Sequence, residues 1–268
     1  MERFGVSPRR SFGQNFVADP NTVRRIARLS GAGPADRVLE IGAGLGSLTL
    51  ALAETGAAVR AVEVDSGLAA ALREVVAEAG AHRVEVVEGD AATLDLDDVL
   101  EGSGRWMLVA NLPYNIATGL VVDLLHDAAA ISVMVVMVQR EVGERLVAPP
   151  GSRARGIPSV LVERQGTARV VANVPASVFR PRPRVESVVV RIERHPSARA
   201  VPLPPESEVR FRRLVRAGFG QRRKMLRRSL AGVVSSAGFA AAGVDPASRP
   251  EALTLDQWIN LARTEPQE

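Results

Sequence analysis

Glu40–Gly46, EIGAGLG, follows the apolar run Arg37–Ile41 (RVLEI) and leads into the helix-forming segment Ser47–Glu54. A strand that breaks on glycines and re-enters as a helix lets the backbone come close to a ligand. Unpaired N–H groups at the helix start then point toward that ligand. Glu63 ends the next apolar run, 21 positions after Gly42, where a carboxylate suits both hydroxyls of a ribose. Asp90 follows the third run in EGDA, where an acceptor suits an adenine amino group. Nicotinamide, flavin and S-adenosylmethionine binders share glycine loop and ribose acid, so the pattern leaves the nucleotide open.

Outward from this loop, residues 37–138 alternate short valine-rich runs with helical spacing. The predicted strands are Arg37–Ile41, Ala58–Glu63, Arg83–Val87, Trp106–Ala110 and Ile131–Val138. Such continuous apolar runs mark parallel strands covered on both faces. Helices are predicted at Ser47–Glu54, Ser66–Ala79 and Thr118–Asp127, and before the sheet at Pro20–Leu29, with Asp19 as its cap. The expectation is an α/β fold with a wound sheet. After Arg140–Val147 come an Arg/Pro/Gly loop at Ala148–Gly156 and two β-like runs, Thr167–Val174 and Glu186–Glu193. The segment FRPRPRV separates those two runs. His195–Pro205 reads as a linker, and Glu206–Ala217, Gln221–Leu230 and Thr254–Arg263 have helical spacing. Two domains are expected, residues 1–195 and a small helical appendage over 203–268.

The chain has no cysteine, so disulfides and thiolate metal sites are excluded. No run reaches the roughly 18 apolar residues of a membrane span, and the N-terminus lacks a signal-peptide core. A cytoplasmic protein without membrane contact is expected. His82, His126 and His195 lie singly, so no metal site is expected. Charge is segregated: residues 1–150 hold 13 basic and 20 acidic side chains, net −7, and residues 151–268 hold 21 and 10, net +11. Codon bias toward arginine would not concentrate charge in one half. A cationic face of this size points to a polyanion, foremost a nucleic acid, against the plainer reading of a solvated surface. Arg222, Arg223, Lys224, Arg227 and Arg228 are its densest cluster.

Asn111-Leu112-Pro113-Tyr114 comes directly after the fourth strand, on the edge that faces the ligand crevice of an open α/β sheet. An exocyclic base amine is a poor nucleophile because its lone pair is delocalised into the ring. Two acceptors, the Asn111 side-chain oxygen and the Leu112 carbonyl, can hold its two N–H groups and favour a tetrahedral nitrogen. Pro113 fixes the turn and adds no competing donor. Tyr114 offers a flat surface for an unstacked base. No metal or nucleophilic side chain is needed.

EIGAGLG, Glu63, Asp90 and NLPYNI together resemble the ribosomal RNA adenine N6-dimethyltransferases, which use S-adenosylmethionine. The likeness extends over nearly the whole chain, through SFGQNF (Ser11–Phe16), VQREVGERL (Val138–Leu146), FRPRPRVESVVV (Phe179–Val190) and AGFGQRRKMLRRSL (Ala217–Leu230). It implies a Rossmann-like class I methyltransferase sheet with helices on both faces and a small C-terminal helical domain. The housekeeping branch is the most similar. It dimethylates two adjacent adenosines in the 3′-terminal hairpin of 16S ribosomal RNA during small-subunit biogenesis.

The resemblance implies that Asn15, Val17, Gly42, Gly44, Glu63, Asp90 and Asn111 contact S-adenosylmethionine. Asn111, Leu112, Pro113 and Tyr114 would face the target base, with Phe179 stacking on its other side. The 203–268 appendage would bind ribosomal RNA, within a small-subunit assembly particle and as a monomer. Three positions and one loop depart from the family pattern: Ala43 replaces a proline, Gly218 an alanine, Arg155 the tyrosine of a Tyr-Gly pair, and arginines stand in the FRPRPRV loop where proline and lysine are usual. Two other functions fit parts of the sequence: large-subunit (23S) RNA methylation of the macrolide-resistance type, and a non-catalytic ribosome-assembly factor. Intact NLPY and Glu63 speak against the latter.

Overall fold

A computed structural model of the protein describes residues 15–101, 104–196 and 202–264. Ser11–Gln14 of SFGQNF lie outside these residues. The chain forms two compact units, residues 1–143 with 168–194, and residues 144–167 with 195–268.

The first unit is built on a seven-stranded sheet. Its elements begin with β1 (Phe16–Val17), α1 (Pro20–Ser30), β2 (Arg37–Ile41), α2 (Ser47–Ala53), β3 (Ala58–Glu63), α3 (Ser66–Glu78), β4 (Val84–Glu88) and α4 (Leu96–Val99). Then come β5 (Trp106–Asn111), α5 (Ala117–Asp127), β6 (Ile131–Gln139) and α6 (Arg140–Leu146), the last running into the second unit. After α7 (Ile157–Gln165) the chain returns through β7 (Gly166–Val174), β8 (Phe179–Arg180) and β9 (Ser187–Arg194). Strand order is β4-β3-β2-β5-β6-β9-β7. Strands β2 to β6 are parallel, and β9 runs antiparallel to β6. The predicted strands and helices over 20–139 agree with these to within a residue or so.

Val38, Leu39, Val59, Ala61, Leu108, Val109, Val135 and Val136 are at most 2% exposed, as parallel strands covered on both faces require. From β2 the chain winds outward to β4, then crosses back to β5 on the other side of β2. The order therefore reverses between β2 and β5, and a ligand crevice is expected at their carboxyl ends. EIGAGLG and NLPY both leave the sheet there. Asp19 caps α1 as expected, accepting the backbone N–H groups of Asn21 and Thr22. Several arginines close this unit rather than serve a partner. Arg191 donates to the carbonyls of Leu29 and Ser30, and Arg194 to those of Leu125, Ala128 and Ile131.

The second unit holds α7, α8 (Pro205–Gly220), α9 (Leu226–Ser229), α10 (Ser236–Ala241) and α11 (Leu255–Arg263). Residues 144–167 belong with it, whereas the sequence reading grouped them with the sheet. Within this stretch Arg155 is completely buried and bonds the Ala148 carbonyl at 2.9 Å and Glu163 at 2.7 Å. The Gly151 N–H donates to the Glu251 carbonyl at 2.7 Å and ties the stretch to the C-terminal residues. Arg164 of α7 likewise pairs with Glu208 of α8 at 2.9 Å. The arginine that replaces the family's tyrosine is thus a buried strut with no face for substrate. Helix α7 has no counterpart in the sequence reading. Its Ile157, Val160 and Val162 look strand-like, but Ser159 reaches back to the Gly156 N–H at 2.9 Å and secures the helix start. Gly218 also has a local reason: a Cβ there would lie 2.6 Å from the Trp258 ring. The helix expected over Gln221–Leu230 is shorter, because Gln221 leaves helical geometry (φ −124°, ψ 52°) and Met225 is extended. Helical structure resumes only at Leu226.

Candidate active site

A cavity of about 220 Å³ opens at the carboxyl ends of β2, β3 and β5. Asn15, Gly42, Gly44, Glu63, Asp90, Asn111, Leu112, Pro113 and Tyr114 all line it. These positions span nearly 100 residues of sequence, and the switch in strand order brings them together.

The glycine loop and Glu63 form one latch. Gly44 donates its N–H to Glu63 Oε2 at 2.8 Å, and Asp65 donates to Oε1 at 3.0 Å. Each carboxylate oxygen keeps a lone pair beyond these bonds. Gly42 and Gly44 have φ of +74° and +58°, and a Cβ on Gly44 would meet the Phe16 ring at 2.8 Å. A side chain at Gly44 is therefore excluded both by backbone conformation and by space. Asp90 is exposed and steadies its own turn by accepting the Ala92 N–H.

Asn111 donates from Nδ2 to the Asn15 carbonyl at 3.0 Å. That bond turns the amide nitrogen to Asn15 and leaves Oδ1 as an acceptor. Leu112 donates its N–H to the Met137 carbonyl at 3.2 Å, tying the loop to β6. The Pro113 carbonyl accepts from Ile116 and Ala117, which opens α5. Tyr114 is half-buried, and burial raises its phenol above the usual range. Its hydroxyl lies 2.9 Å from Ser187 Oγ.

Two expected site residues are elsewhere. Phe179 is completely buried, packed with Val17, Val23 and Ile26 in the core, and is absent from the cavity wall. The base-stacking role expected of Phe179 would need its ring at the cavity, whereas here the ring lies in the core. The reason is register: β8 pairs antiparallel with β1, setting Phe179 opposite Val17. Val17 is buried in the same cluster and borders a neighbouring void of about 30 Å³. The sequence reading missed Phe16, Val64 and Glu40. Phe16 and Val64 line the main cavity, and Val64 is 45% exposed there. Glu40 is 1% exposed and borders the small void, and its Oε2 has no hydrogen-bond partner among the described residues. Burial pushes its carboxyl up to about 8, with the Glu63 charge adding to the rise. A carboxylate inside the apolar run RVLEI was the available signal.

In the second unit, Arg222, Arg223, Lys224, Arg227 and Arg228 are all exposed. Arg222 donates to the Arg153 carbonyl. Among the described residues no helix is long and apolar enough to cross a membrane.

Residues 5–265 match the family described as ribosomal RNA adenine dimethylase. The chain belongs to that family. The ribosomal RNA small subunit methyltransferase A of Acidothermus cellulolyticus is 46% identical over 272 residues, covering 98% of this chain and 90% of the relative. That of Bifidobacterium adolescentis is 43% identical, covering 97% and 89%. Among solved structures, the 23S rRNA methyltransferase ErmE is similar with a TM-score of 0.70 and 27% identity, over 92% of this chain and 98% of that one. Members of the family are methyltransferases, and the mixed sheet with flanking helices is that of their class I fold.

Proposed function

We propose that the protein transfers methyl groups from S-adenosylmethionine to N6 of two adjacent adenosines in the 3′-terminal hairpin of 16S ribosomal RNA. It does so as a cytoplasmic monomer acting on a small-subunit assembly particle. The observation that carries the reading is the convergence of the glycine loop, Glu63 and NLPY on one cavity. The small-subunit names of relatives at 43% and 46% identity support the choice of RNA. The likeness to ErmE, at 27%, supports large-subunit RNA less strongly.

The cavity walls suit S-adenosylmethionine. Two positions without Cβ let the backbone approach, Glu63 keeps acceptor capacity, and Val64 adds an apolar face. When bound, the cofactor supplies an electrophilic methyl group. Glu63 holds ribose hydroxyls and Asp90 the adenine amino group, while Gly42, Gly44 and Asn15 contribute backbone. Asn111 Oδ1 and the Leu112 carbonyl accept the two N–H groups of the target amine and draw its lone pair out of ring conjugation. Tyr114 supports the flipped base. Arg222, Arg223, Lys224, Arg227 and Arg228 bind RNA phosphates through the C-terminal helices.

The test is single-turnover methylation of small-subunit RNA at saturating cofactor. Losing one preorganised polar group costs about a hundred- to a thousandfold in rate, so Asn111→Ala should be slowed by that order. A near-normal rate would remove the proposed amine geometry.

A further inference from the structure

The role given to Tyr114 above uses only the face of its ring, yet its hydroxyl is engaged. Ser187, its partner, is completely buried. It is the first residue of β9 and pairs with Gln139, the last residue of β6. Because β9 runs antiparallel to β6, its first residue is carried to the carboxyl edge of the sheet, beside the NLPY loop. Ser187 and Tyr114 are 73 positions apart, and their hydroxyl oxygens meet at 2.9 Å. A buried hydroxyl needs a partner, and this contact provides one.

An aromatic ring on a loop turns about its Cα–Cβ bond unless something holds its far end. In Tyr114 the near end is held by the loop, which is tied to β6 through Leu112 and to Asn15 through Asn111. The far end is held by Ser187, on the neighbouring strand of the same sheet. Two anchors on one rigid layer fix the plane of the ring against the cavity.

We propose that Ser187 is a positioning residue for methyl transfer, setting the plane of the Tyr114 ring on which the target base rests. The inference rests on the function proposed above. The hydroxyl of Tyr114 then matters although it touches no reacting atom. Tyr114→Phe and Ser187→Ala break the same bond from opposite ends, so they should cause the same defect, and combining them should add nothing.

Tyr114 is the only tyrosine in the chain, so a protein carrying 3-fluorotyrosine reports this ring as a single labelled site in fluorine NMR. Ser187→Ala should shift that signal with no substrate present. It should also slow single-turnover methylation roughly two- to twelvefold, the span of one net hydrogen bond, while cofactor affinity by calorimetry stays as in wild type. Tyr114→Phe should give the same rate loss, and the double variant no more than either alone. An unchanged fluorine signal, an undiminished rate in Ser187→Ala, or losses that multiply in the double variant would each overturn the proposal. Tyr114→Ala separates the two readings, for an undiminished rate in it refutes the base platform itself. If no RNA is methylated at all, the fluorine signal still decides whether Ser187 sets the ring.

Discussion

Replacing Glu40 with glutamine should flatten the pH dependence of stability. Its carboxyl is 1% exposed, and burial pushes it up to about 8 from an ordinary value of 4.5. In the unfolded chain the group regains its ordinary value, so the unfolded state loses the proton first as pH rises. The stability this group contributes is fully present below pH 4.5 and is lost progressively up to about pH 8. Each pH unit in that window costs about 1.4 kcal/mol. From pH 5 to pH 7 the loss is therefore on the order of 2.5 kcal/mol, allowing for the incomplete ionisation of the unfolded chain at pH 5. Glutamine keeps the shape of the side chain and has no proton to lose. Other carboxylates titrate alike in both proteins, so the difference between them isolates Glu40. Urea unfolding of wild type and Glu40→Gln at pH 5, 6 and 7 should show the variant gaining on wild type by about that amount. Parallel curves across this range would refute a proton held on Glu40 in the folded state.

Glu63→Ala should weaken S-adenosylmethionine binding by roughly 1–3 kcal/mol, the scale of a bond to a charged group, as read by calorimetry on the folded variant. Neutralising Arg222, Arg223, Arg227 and Arg228 should lower the slope of log RNA affinity against log salt by about 0.7–0.9 for each phosphate that is no longer neutralised. An unchanged slope would make the cluster a solvated face. Gly218→Ala should destabilise the C-terminal helices by about 1–3 kcal/mol through overpacking against Trp258; equal urea midpoints for variant and wild type would contradict that packing.

Elements whose signals are local were legible. The valine runs and the Asp19 cap each act within a few residues, and the strands and helices from 20 to 139 follow them closely. Site convergence was legible too, since a glycine loop after one strand and NLPY after another meet wherever parallel strands reverse order. What escaped depends on distant partners. Phe179 reads as an exposed aromatic in a proline-rich loop until the pairing of β8 with β1 turns it inward. Arg155, Arg191 and Arg194 count as surface charge until their carbonyl and carboxylate partners are known, so only part of the basic excess remains for RNA. Helix α7 is hidden by its own β-branched residues, and Ser187 reads as an unremarkable strand start until Tyr114 is placed against it.

Dimethylation of adenine in small-subunit RNA at this cavity is the activity proposed. Transfer of a labelled methyl group to separated small- and large-subunit particles, followed by mapping of the label, tests it most directly. The expected product is N6,N6-dimethyladenosine at two adjacent positions in the 3′-terminal hairpin of the small-subunit RNA, formed about a hundred- to a thousandfold more slowly by Asn111→Ala. Label confined to large-subunit RNA, or label that reaches small-subunit RNA at a near-normal rate in Asn111→Ala, would contradict it.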